Sequence, residues 1–267
     1  MLTNAVLRVL MIGNSFSVCV GHHLPGIVRS APGCELRLTS AYIGGCSLKR
    51  HWNNVLATRD DPEARQYAVR EWTTDGDAPV SRKEWEDSLN ELLARGDWDV
   101  VTIQQASPGS WDYATYQPYA DQLVAYIREQ APAARIWIQQ TWAYNAADAR
   151  ISPGGAWGFD QAGMHRRLSE AYAELAVHLG GAPVIPTGDA VALWRSRHLA
   201  DSPDIVGNGT DTIHFNRRGE YLQAATWFLS LYGREDFPPD VYAPDFLSPD
   251  EAERLRAAAR DAVAARR

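Results

Sequence analysis

Five short apolar runs, separated by longer stretches of helical periodicity, constrain the fold of this chain more than any other feature. The runs occupy residues 6–12, 36–43, 98–103, 135–139 and 182–185, and branched aliphatic residues are frequent in them. Strands that are apolar along their whole length are typical of a parallel sheet covered by helices on both faces. The sequence therefore predicts an α/β fold, a three-layer sandwich around a central, mostly parallel five-stranded sheet.

Helical periodicity fills most of the segments between these runs. It predicts helices at 81–94, 116–130, 161–179 and 217–231. One segment departs from the alternation: residues 66–72 and 79–82 flank a turn-forming stretch at 74–77, which predicts a small β-hairpin insertion after the second strand. No linker interrupts the chain, so we expect a single domain over residues 1–267 with a C-terminal extension at about 233–267.

Composition excludes several classes of partner. The 267 residues have a formal net charge of −7 at pH 7, and an acidic surface does not attract nucleic acid or an anionic membrane. The three cysteines lack a CxxC spacing, which argues against a zinc ribbon or a redox motif. The chain shows no secretory signal pattern and no apolar run of membrane-spanning length, so we expect a cytoplasmic protein. The sequence does not indicate an oligomeric state.

A candidate nucleophile stands directly after the first predicted strand. Ser15 follows Gly13 and Asn14 there, at the entry to a helix. In doubly wound folds, ligands bind at the carboxyl edge of the sheet, and a helix N-terminus favours negative charge. Attack on an acyl carbon requires this environment, because an oxyanion develops. The alternative is that Ser15 only caps the helix, and this motif alone does not decide between the two roles.

A candidate base for Ser15 lies near the other end of the chain. Asp211 and His214 stand three positions apart in a predicted loop before the last long helix of the sandwich. With this spacing, the carboxylate can bind one imidazole nitrogen and leave the other to accept the serine proton. Taken alone, such a pair is more often a loop aspartate beside a surface histidine.

The combination of the two motifs resembles the GDSL/SGNH hydrolase superfamily. GNS after the first strand and DxxH before the last long helix are similar to the first and last sequence blocks of that superfamily. The strings IGNSFS, YIGGCSL, WDVVTIQQAS and IPTG further resemble a bacterial subgroup known as a domain of unknown function, over roughly residues 6–232. The resemblance implies an SGNH-hydrolase fold, flavodoxin-like in layout, a serine hydrolase, and neither a metal nor an organic cofactor.

The resemblance also implies three oxyanion donors. The Ser15 amide is one, and Gly45, after the second strand, matches the glycine of the second block. The third block usually contributes an asparagine. Here Gln105 is the expected replacement and Gln104 the second choice, since a glutamine there resembles some carbohydrate acetylesterases. Asn14 replaces the usual aspartate of the first block. Losing one donor costs on the order of 3 kcal/mol of transition-state stabilisation.

Several residues near the expected crevice are candidates for substrate contacts, because aromatic faces can stack on sugar rings. They are Asn14, His51, Trp52, Trp111 and Trp142. For any single tryptophan, core packing is the more common role. The adjacent pair His22-His23 has no third ligand at a suitable spacing, so we predict no metal site.

These observations favour a serine esterase that hydrolyses a small acyl ester, acetyl foremost, on a carbohydrate or another small molecule. Two alternatives stay open: a lipase, thioesterase or acyltransferase with the same triad, and a non-catalytic carbohydrate-binding relative. The intact Ser15, Asp211 and His214 favour an enzyme. An α/β-hydrolase shares the chain order Ser, Asp, His, but it needs a GxSxG elbow, which this sequence lacks.

Overall fold

The computed structural model describes residues 6–75, 78–95 and 97–267. The strands are β1 (Leu7–Gly13), β2 (Leu36–Tyr42), β3 (Tyr67–Thr73), β4 (Ser81–Asp87), β5 (Val100–Ile103), β6 (Arg135–Gln139), β7 (Val184–Ile185), β8 (Val206–Asn208) and β9 (Asp211–Phe215). The helices are α1 (Ser15–Val18), α2 (Leu24–Arg29), α3 (Leu48–Asp60), α4 (Leu89–Ala94), α5 (Tyr119–Gln130), α6 (Gln161–His178), α7 (Thr187–His198), α8 (Arg217–Leu231) and α9 (Pro249–Ala264).

A central sheet combines seven of these strands in the order β4-β3-β2-β1-β5-β6-β7. Strands β2, β1, β5, β6 and β7 run parallel to one another, and they are the five strands that the apolar runs predict. Helices cover both sides of the sheet. The predicted α/β sandwich with a mostly parallel central sheet is therefore confirmed.

The predicted β-hairpin is present, and it joins the central sheet. β3 pairs antiparallel with β2, and β4 pairs antiparallel with β3, so that Tyr67 lies opposite Asp87 and Thr73 opposite Ser81. The hairpin thus extends the predicted five strands to seven. Residues 76 and 77 of the predicted turn lie outside the described residues.

The predicted helix at 81–94 is wrong over its first half. Ser81–Asp87 form β4, and only Leu89–Ala94 are helical. The boundary is Ser88, whose hydroxyl accepts a hydrogen bond from the Glu91 amide at 3.1 Å, as expected for an N-cap. β4 is an exposed edge strand of charged residues, and its pairing with β3 outweighs their weak strand propensity.

The other predicted helices are present as α5, α6 and α8. α6 ends at His178, one residue earlier than predicted, and α8 spans the predicted range. α5 begins at Tyr119, directly after Pro118, rather than at the predicted residue 116. Proline disfavours helical backbone in the residue before it, which explains the later start.

The helices form two groups around the sheet. α3, α4 and α5 contact one another, and α2, α7, α8 and α9 form the second group. The C-terminal extension therefore packs on α7 and α8 of its own chain, and a capping box between Ser248 and Glu251 fixes the start of α9. Among the helices of the described residues, none combines the length and the apolar character needed to cross a bilayer.

Candidate active site

The chain passes from β1 to β2 on one side of β1 and returns to β5 on its other side. In doubly wound sheets such a reversal opens a crevice at the carboxyl ends of the strands. A cavity of about 380 Å³ lies there, and its lining includes Ser15 after β1, Gly45 after β2, Ser107 after β5 and His214 on β9. Four separate chain segments thus meet at one edge of the molecule.

Ser15 is held by a tight connection between β1 and α1. A Cβ atom on Gly13 would collide with the side chain of Ser17 and lie 3.3 Å from that of Gln104, so a larger residue there would have to displace its neighbours. Asn14, in extended conformation, caps α1, and its Oδ1 accepts a hydrogen bond from the Phe16 amide at 2.9 Å. Because Asn14 fills the capping role, the hydroxyl of Ser15 is free for other contacts.

The Asn14 side chain ties the connections after three strands together. Its Nδ2 donates to the carbonyl oxygen of Cys46 at 3.0 Å, and its Oδ1 also accepts from Nε2 of Gln104 at 2.8 Å. Asn14 borders the cavity, but it is only 2% exposed and these contacts occupy its amide. Its described role is to position the loops, rather than the substrate contact that the sequence predicts.

The side chains of Ser15, His214 and Asp211 form a hydrogen-bonded chain. Ser15 Oγ lies 2.8 Å from Nε2 of His214, and Nδ1 of the same ring lies 2.7 Å from Oδ2 of Asp211. Ser15 and His214 are 199 positions apart in the sequence. The structure thus brings together the three residues that the sequence predicts, in the order needed to move a proton from the serine to the imidazole.

Asp211 is anchored by the backbone that follows it. Its Oδ1 accepts hydrogen bonds from the amides of Ile213 at 2.8 Å and His214 at 2.9 Å, which leaves Oδ2 for the ring. Partial burial would raise the pKa of Asp211, but these amides and the ring of His214 outweigh it and hold that pKa below its ordinary value. The pair lies on the short strand β9, not in the predicted loop.

Three stacked aromatic rings connect the serine segment to the histidine segment. Trp142 lies between Phe16, at a centroid distance of 4.1 Å, and Phe215, at 3.6 Å. Phe16 directly follows Ser15, and Phe215 directly follows His214. The indole nitrogen of Trp142 also donates to the carbonyl oxygen of Ile213 at 2.9 Å. This stack fixes the separation of the hydroxyl and the imidazole from behind the cavity.

A buried ion pair supports the β8–β9 hairpin. Nη2 of Arg195 lies 3.0 Å from Oδ2 of Asp204, and the two side chains are 8% and 9% exposed. Arg195 also donates to the carbonyl oxygen of Ala143 at 3.0 Å, one residue after Trp142. The amide of Asn145 donates to the carbonyl oxygen of Thr212 at 2.8 Å. The segment that follows β6 and the strand that bears His214 are therefore locked together.

Two backbone amides can serve as oxyanion donors. The amide of Ser15 opens α1, and Gly45 has a φ of +61°, a conformation that favours glycine. Within the described part of the chain, neither amide has a backbone acceptor. Both residues line the cavity. These amides are the first two donors that the sequence predicts, and their residues line the same cavity.

The third predicted donor is not brought to the site. Nε2 of Gln105 donates to the carbonyl oxygen and to Oγ1 of Thr115, at 2.9 and 3.1 Å, while its Oε1 accepts from the amides of Leu48 and Ala106. Nε2 of Gln104, the second choice, donates to Oδ1 of Asn14. Both glutamines are buried, and neither lines the cavity. Their amide nitrogens donate to neighbouring loops, since burying a donor without a hydrogen bond is costly.

Four predicted substrate-binding residues also lie away from the cavity lining. His51 is fully buried and stacks on Tyr67, with 3.0 Å between its Nδ1 and the tyrosine hydroxyl. Burial lowers the pKa of His51 to about 3, so the ring is neutral. Trp52 packs against Tyr126, Trp111 packs against a second tryptophan and Phe159, and Trp142 is fully buried in the stack. Burying a large apolar ring is favourable, and here core packing wins.

Sequence reasoning missed the other residues of the lining: Phe16, Tyr42, Gly44, Ser107, Pro108 and Ile213. Each lies within four positions of a strand end or of a predicted site residue, which is the signal that could have found them. Cys46, next to Gly45, is buried, and burial raises the pKa of its thiol to about 12. A thiol of that pKa is not a nucleophile at neutral pH.

The sheet order and the four converging connections are those of a mostly parallel α/β sandwich, the fold that the resemblance seen in the sequence implies. The chain belongs to the family described as "Domain of unknown function (DUF4886)", which it matches over residues 8–262.

Solved structures share this fold. A DUF4886 family protein from Bacteroides uniformis is 29% identical, with a TM-score of 0.82 over 97% of this chain and 95% of that one. A protein of Slackia heliotrinireducens, assigned to the SGNH hydrolases, is 24% identical, with a TM-score of 0.54 over 85% of this chain and 100% of that one. An acetyl xylan esterase is 13% identical, with a TM-score of 0.51 over 83% and 98%. No curated protein matches the sequence.

Proposed function

We propose that this protein is a serine esterase that removes a small acyl group, acetyl foremost, from a carbohydrate or a similar small alcohol. The observation that carries the proposal is the hydrogen-bonded chain from Ser15 through His214 to Asp211, with links of 2.8 and 2.7 Å. It lies in a cavity beside two backbone amides that have no acceptor in the described segments. A nucleophile, a base, an orienting carboxylate and oxyanion donors are the parts that acyl transfer needs.

Hydrolysis would proceed in two halves. The oxygen of Ser15 attacks the acyl carbon while its proton passes to Nε2 of His214, and the amides of Ser15 and Gly45 bind the oxyanion. The carbon–oxygen bond to the alcohol then breaks, and the alcohol leaves with the proton from His214. A water molecule repeats the sequence on the acyl-enzyme: His214 takes its proton, the acid departs, and Ser15 regains its hydrogen.

The cavity has room for a small ester. Its volume of about 380 Å³ lies within the range for small-molecule sites. The carbohydrate alcohol rests on the resemblance of the third block to carbohydrate acetylesterases and on the fold shared with an acetyl xylan esterase. A lipase, thioesterase or acyltransferase would use the same triad on a different acyl group or acceptor.

Labelling by a fluorophosphonate tests whether the site is catalytic. We expect the wild-type protein to be labelled on Ser15 and the Ser15→Ala variant to remain unlabelled, because only an activated serine attacks phosphorus at a useful rate. Ser17→Ala is a matched control, since Ser17 lies two residues away and donates to the carbonyl oxygen of Asn14. A well-folded wild-type protein that is not labelled would instead support a non-catalytic carbohydrate-binding relative.

A panel of aryl esters and acetylated sugars tests the substrate. We expect kcat/KM on p-nitrophenyl acetate to exceed that on the octanoate and the palmitate by at least about tenfold, because a methylene that the site does not accommodate costs up to about 1–3 kcal/mol. Acetylated xylo-oligosaccharides should be cleaved, and Ser15→Ala should abolish both reactions. Equal rates on acetyl and palmitoyl esters would contradict a short-acyl site and favour a lipase.

The pH dependence tests His214 as the base. A protonated imidazole cannot accept the proton of Ser15, so kcat/KM should fall in acidic solution. A profile that stays flat into acidic solution, measured with p-nitrophenyl acetate and corrected for its spontaneous hydrolysis, would argue against His214.

A further inference from the structure

The loop after β5 reaches the cavity through a serine. Of its polar residues, Gln104 and Gln105 use their amides on Asn14 and Thr115, as described above. Ser107, two residues further along, lines the cavity together with Ser15, Gly45 and His214. The polar side chain that this loop contributes to the cavity lining is therefore a hydroxyl, not an amide.

The hydrogen bonds of Ser107 leave its proton available. Oγ of Ser107 accepts a hydrogen bond from the Tyr144 hydroxyl at 2.8 Å. Burial raises the pKa of Tyr144, so the phenol keeps its proton and can donate it to Ser107. A serine hydroxyl has one proton of its own, and among residues 6–75, 78–95 and 97–267 no acceptor receives it. Because Ser107 lines the cavity, an oxygen of a ligand bound there is a candidate acceptor for this proton.

The backbone around Ser107 is fixed by local contacts. Its carbonyl oxygen accepts from Oγ of Ser110 at 3.0 Å, and the carbonyl oxygen of Ser110 accepts from the Tyr116 hydroxyl at 2.8 Å. Both Ser110 and Tyr116 are fully buried. A donor fixed before the reaction needs no reorganisation in the transition state, which is the property that an oxyanion hole requires.

We propose that the Ser107 hydroxyl is the third oxyanion donor of this site, and that Tyr144 is a positioning residue that holds the Ser107 oxygen so that its proton points into the cavity. This inference rests on the proposed esterase function and deepens it. It replaces the glutamine expected from the third sequence block by a serine two to three residues later in the same loop. The oxyanion would then bind two backbone amides, those of Ser15 and Gly45, and one side-chain hydroxyl.

The first test is Ser107→Ala, assayed on p-nitrophenyl acetate. We expect kcat to fall by about 10²–10³-fold with little change in KM, because the donor acts mainly in the transition state. Ser230→Ala is the matched control: it removes a hydroxyl that donates to the carbonyl oxygen of Thr226 within α8, outside the cavity lining. It should reduce kcat by less than about fivefold. A kcat of Ser107→Ala within about threefold of wild type, or equal losses in the two variants, would overturn the proposal.

The second test is the pair of Tyr144 and Ser107 in a double-mutant cycle. Tyr144→Phe removes the hydroxyl that fixes Ser107, so kcat should fall by about three- to tenfold, roughly the value of one hydrogen bond. In the Ser107→Ala background, Tyr144→Phe should then change kcat by less than about twofold, since the group it orients is gone. Independent, multiplicative losses would show that Tyr144 acts elsewhere and would overturn its positioning role.

Labelling of Ser15 distinguishes a failure of the esterase function from a failure of the Ser107 donor alone. Wild-type protein that is not labelled by a fluorophosphonate would refute the esterase function, and this inference with it. Labelled, active wild type together with an undiminished Ser107→Ala would refute the Ser107 donor alone. Melting temperatures of all variants within a few degrees of wild type ensure that the kinetic losses report chemistry, and Tyr144→Phe supplies an independent arm if Ser107→Ala does not fold.

Discussion

Replacing Asp211 by asparagine would reverse the hydrogen bond that orients His214. In the wild-type protein, two backbone amides hold Oδ1 of Asp211 at 2.8 and 2.9 Å, and Oδ2 accepts from Nδ1 of the ring at 2.7 Å. An asparagine oxygen would keep the two amides, and its NH₂ group would then face the ring. Nδ1 would have to accept, and the proton would move to Nε2, where it blocks transfer from Ser15.

The size of the effect follows from the same contacts. An inverted asparagine could restore the ring tautomer, but it would lose two amide hydrogen bonds of about 1–1.5 kcal/mol each. A cost of about 2–3 kcal/mol leaves at most about one molecule in 30 with the inverted amide. We therefore expect kcat of Asp211→Asn to fall by at least about 30-fold and by as much as about 10⁴-fold, the loss seen for the same substitution in serine proteases.

The assay is the initial rate on p-nitrophenyl acetate at about pH 8, with thermal melting as the control. Asp211 has a pKa below its ordinary value, so it stabilises the fold above the pKa of the unfolded chain, about 3.9, and this stabilisation is lost as pH falls through the lower folded-state pKa. The difference in melting temperature between wild type and Asp211→Asn should accordingly shrink below about pH 4. A loss of kcat smaller than about tenfold in a well-folded variant would refute the tautomer argument.

Two further substitutions separate structural from chemical roles. Trp142→Phe keeps a ring between Phe16 and Phe215 but loses the indole hydrogen bond. The free energy of unfolding should therefore drop by about 1–3 kcal/mol in urea titrations, and kcat should fall because His214 is held less firmly. Unchanged stability would show that the stack does not support the site. Gln105→Met should lower the unfolding free energy by about 2–4 kcal/mol, because buried partners lose their hydrogen bonds, while kcat of the folded protein stays within about tenfold. A 10²-fold loss of kcat at unchanged melting temperature would instead indicate that Gln105 is an oxyanion donor.

The parallel strands could be predicted because burial on both faces requires an apolar composition. β1 and β5 are buried on both faces, so their sequences are apolar without alternation, and no tertiary information is needed to recognise them. β4 lacked such a signal. Its charged residues resemble an exposed helix, and only pairing with β3 makes it a strand. The combination of Ser88 and Glu91 marked the true start of the helix and would have corrected the boundary.

The site residues that stand at the ends of strands or helices could be predicted from the sequence. The residues whose role depends on the direction of the side chain could not. Ser15 and His214 stand at element ends, so topology alone brings them to one edge of the sheet. The direction of the Gln105 amide depends on the carbonyl oxygen of Thr115, ten positions away, which no local pattern indicates. The role of Trp142 was predicted wrongly for a similar reason. A tryptophan after a strand can face either the cavity or the core, and its contacts with other rings determine which.

Both margins of the central sheet are poor templates for a further strand. β4 presents Arg82, Lys83, Glu84 and Glu86 along one margin, and another chain pairing there would have to strip water from several charges. The opposite margin, β7, is two residues long and offers little backbone to pair with. Intermolecular β-sheet growth, a common route to fibrils, is therefore disfavoured at each side, and variants that neutralise β4 should be the ones that aggregate.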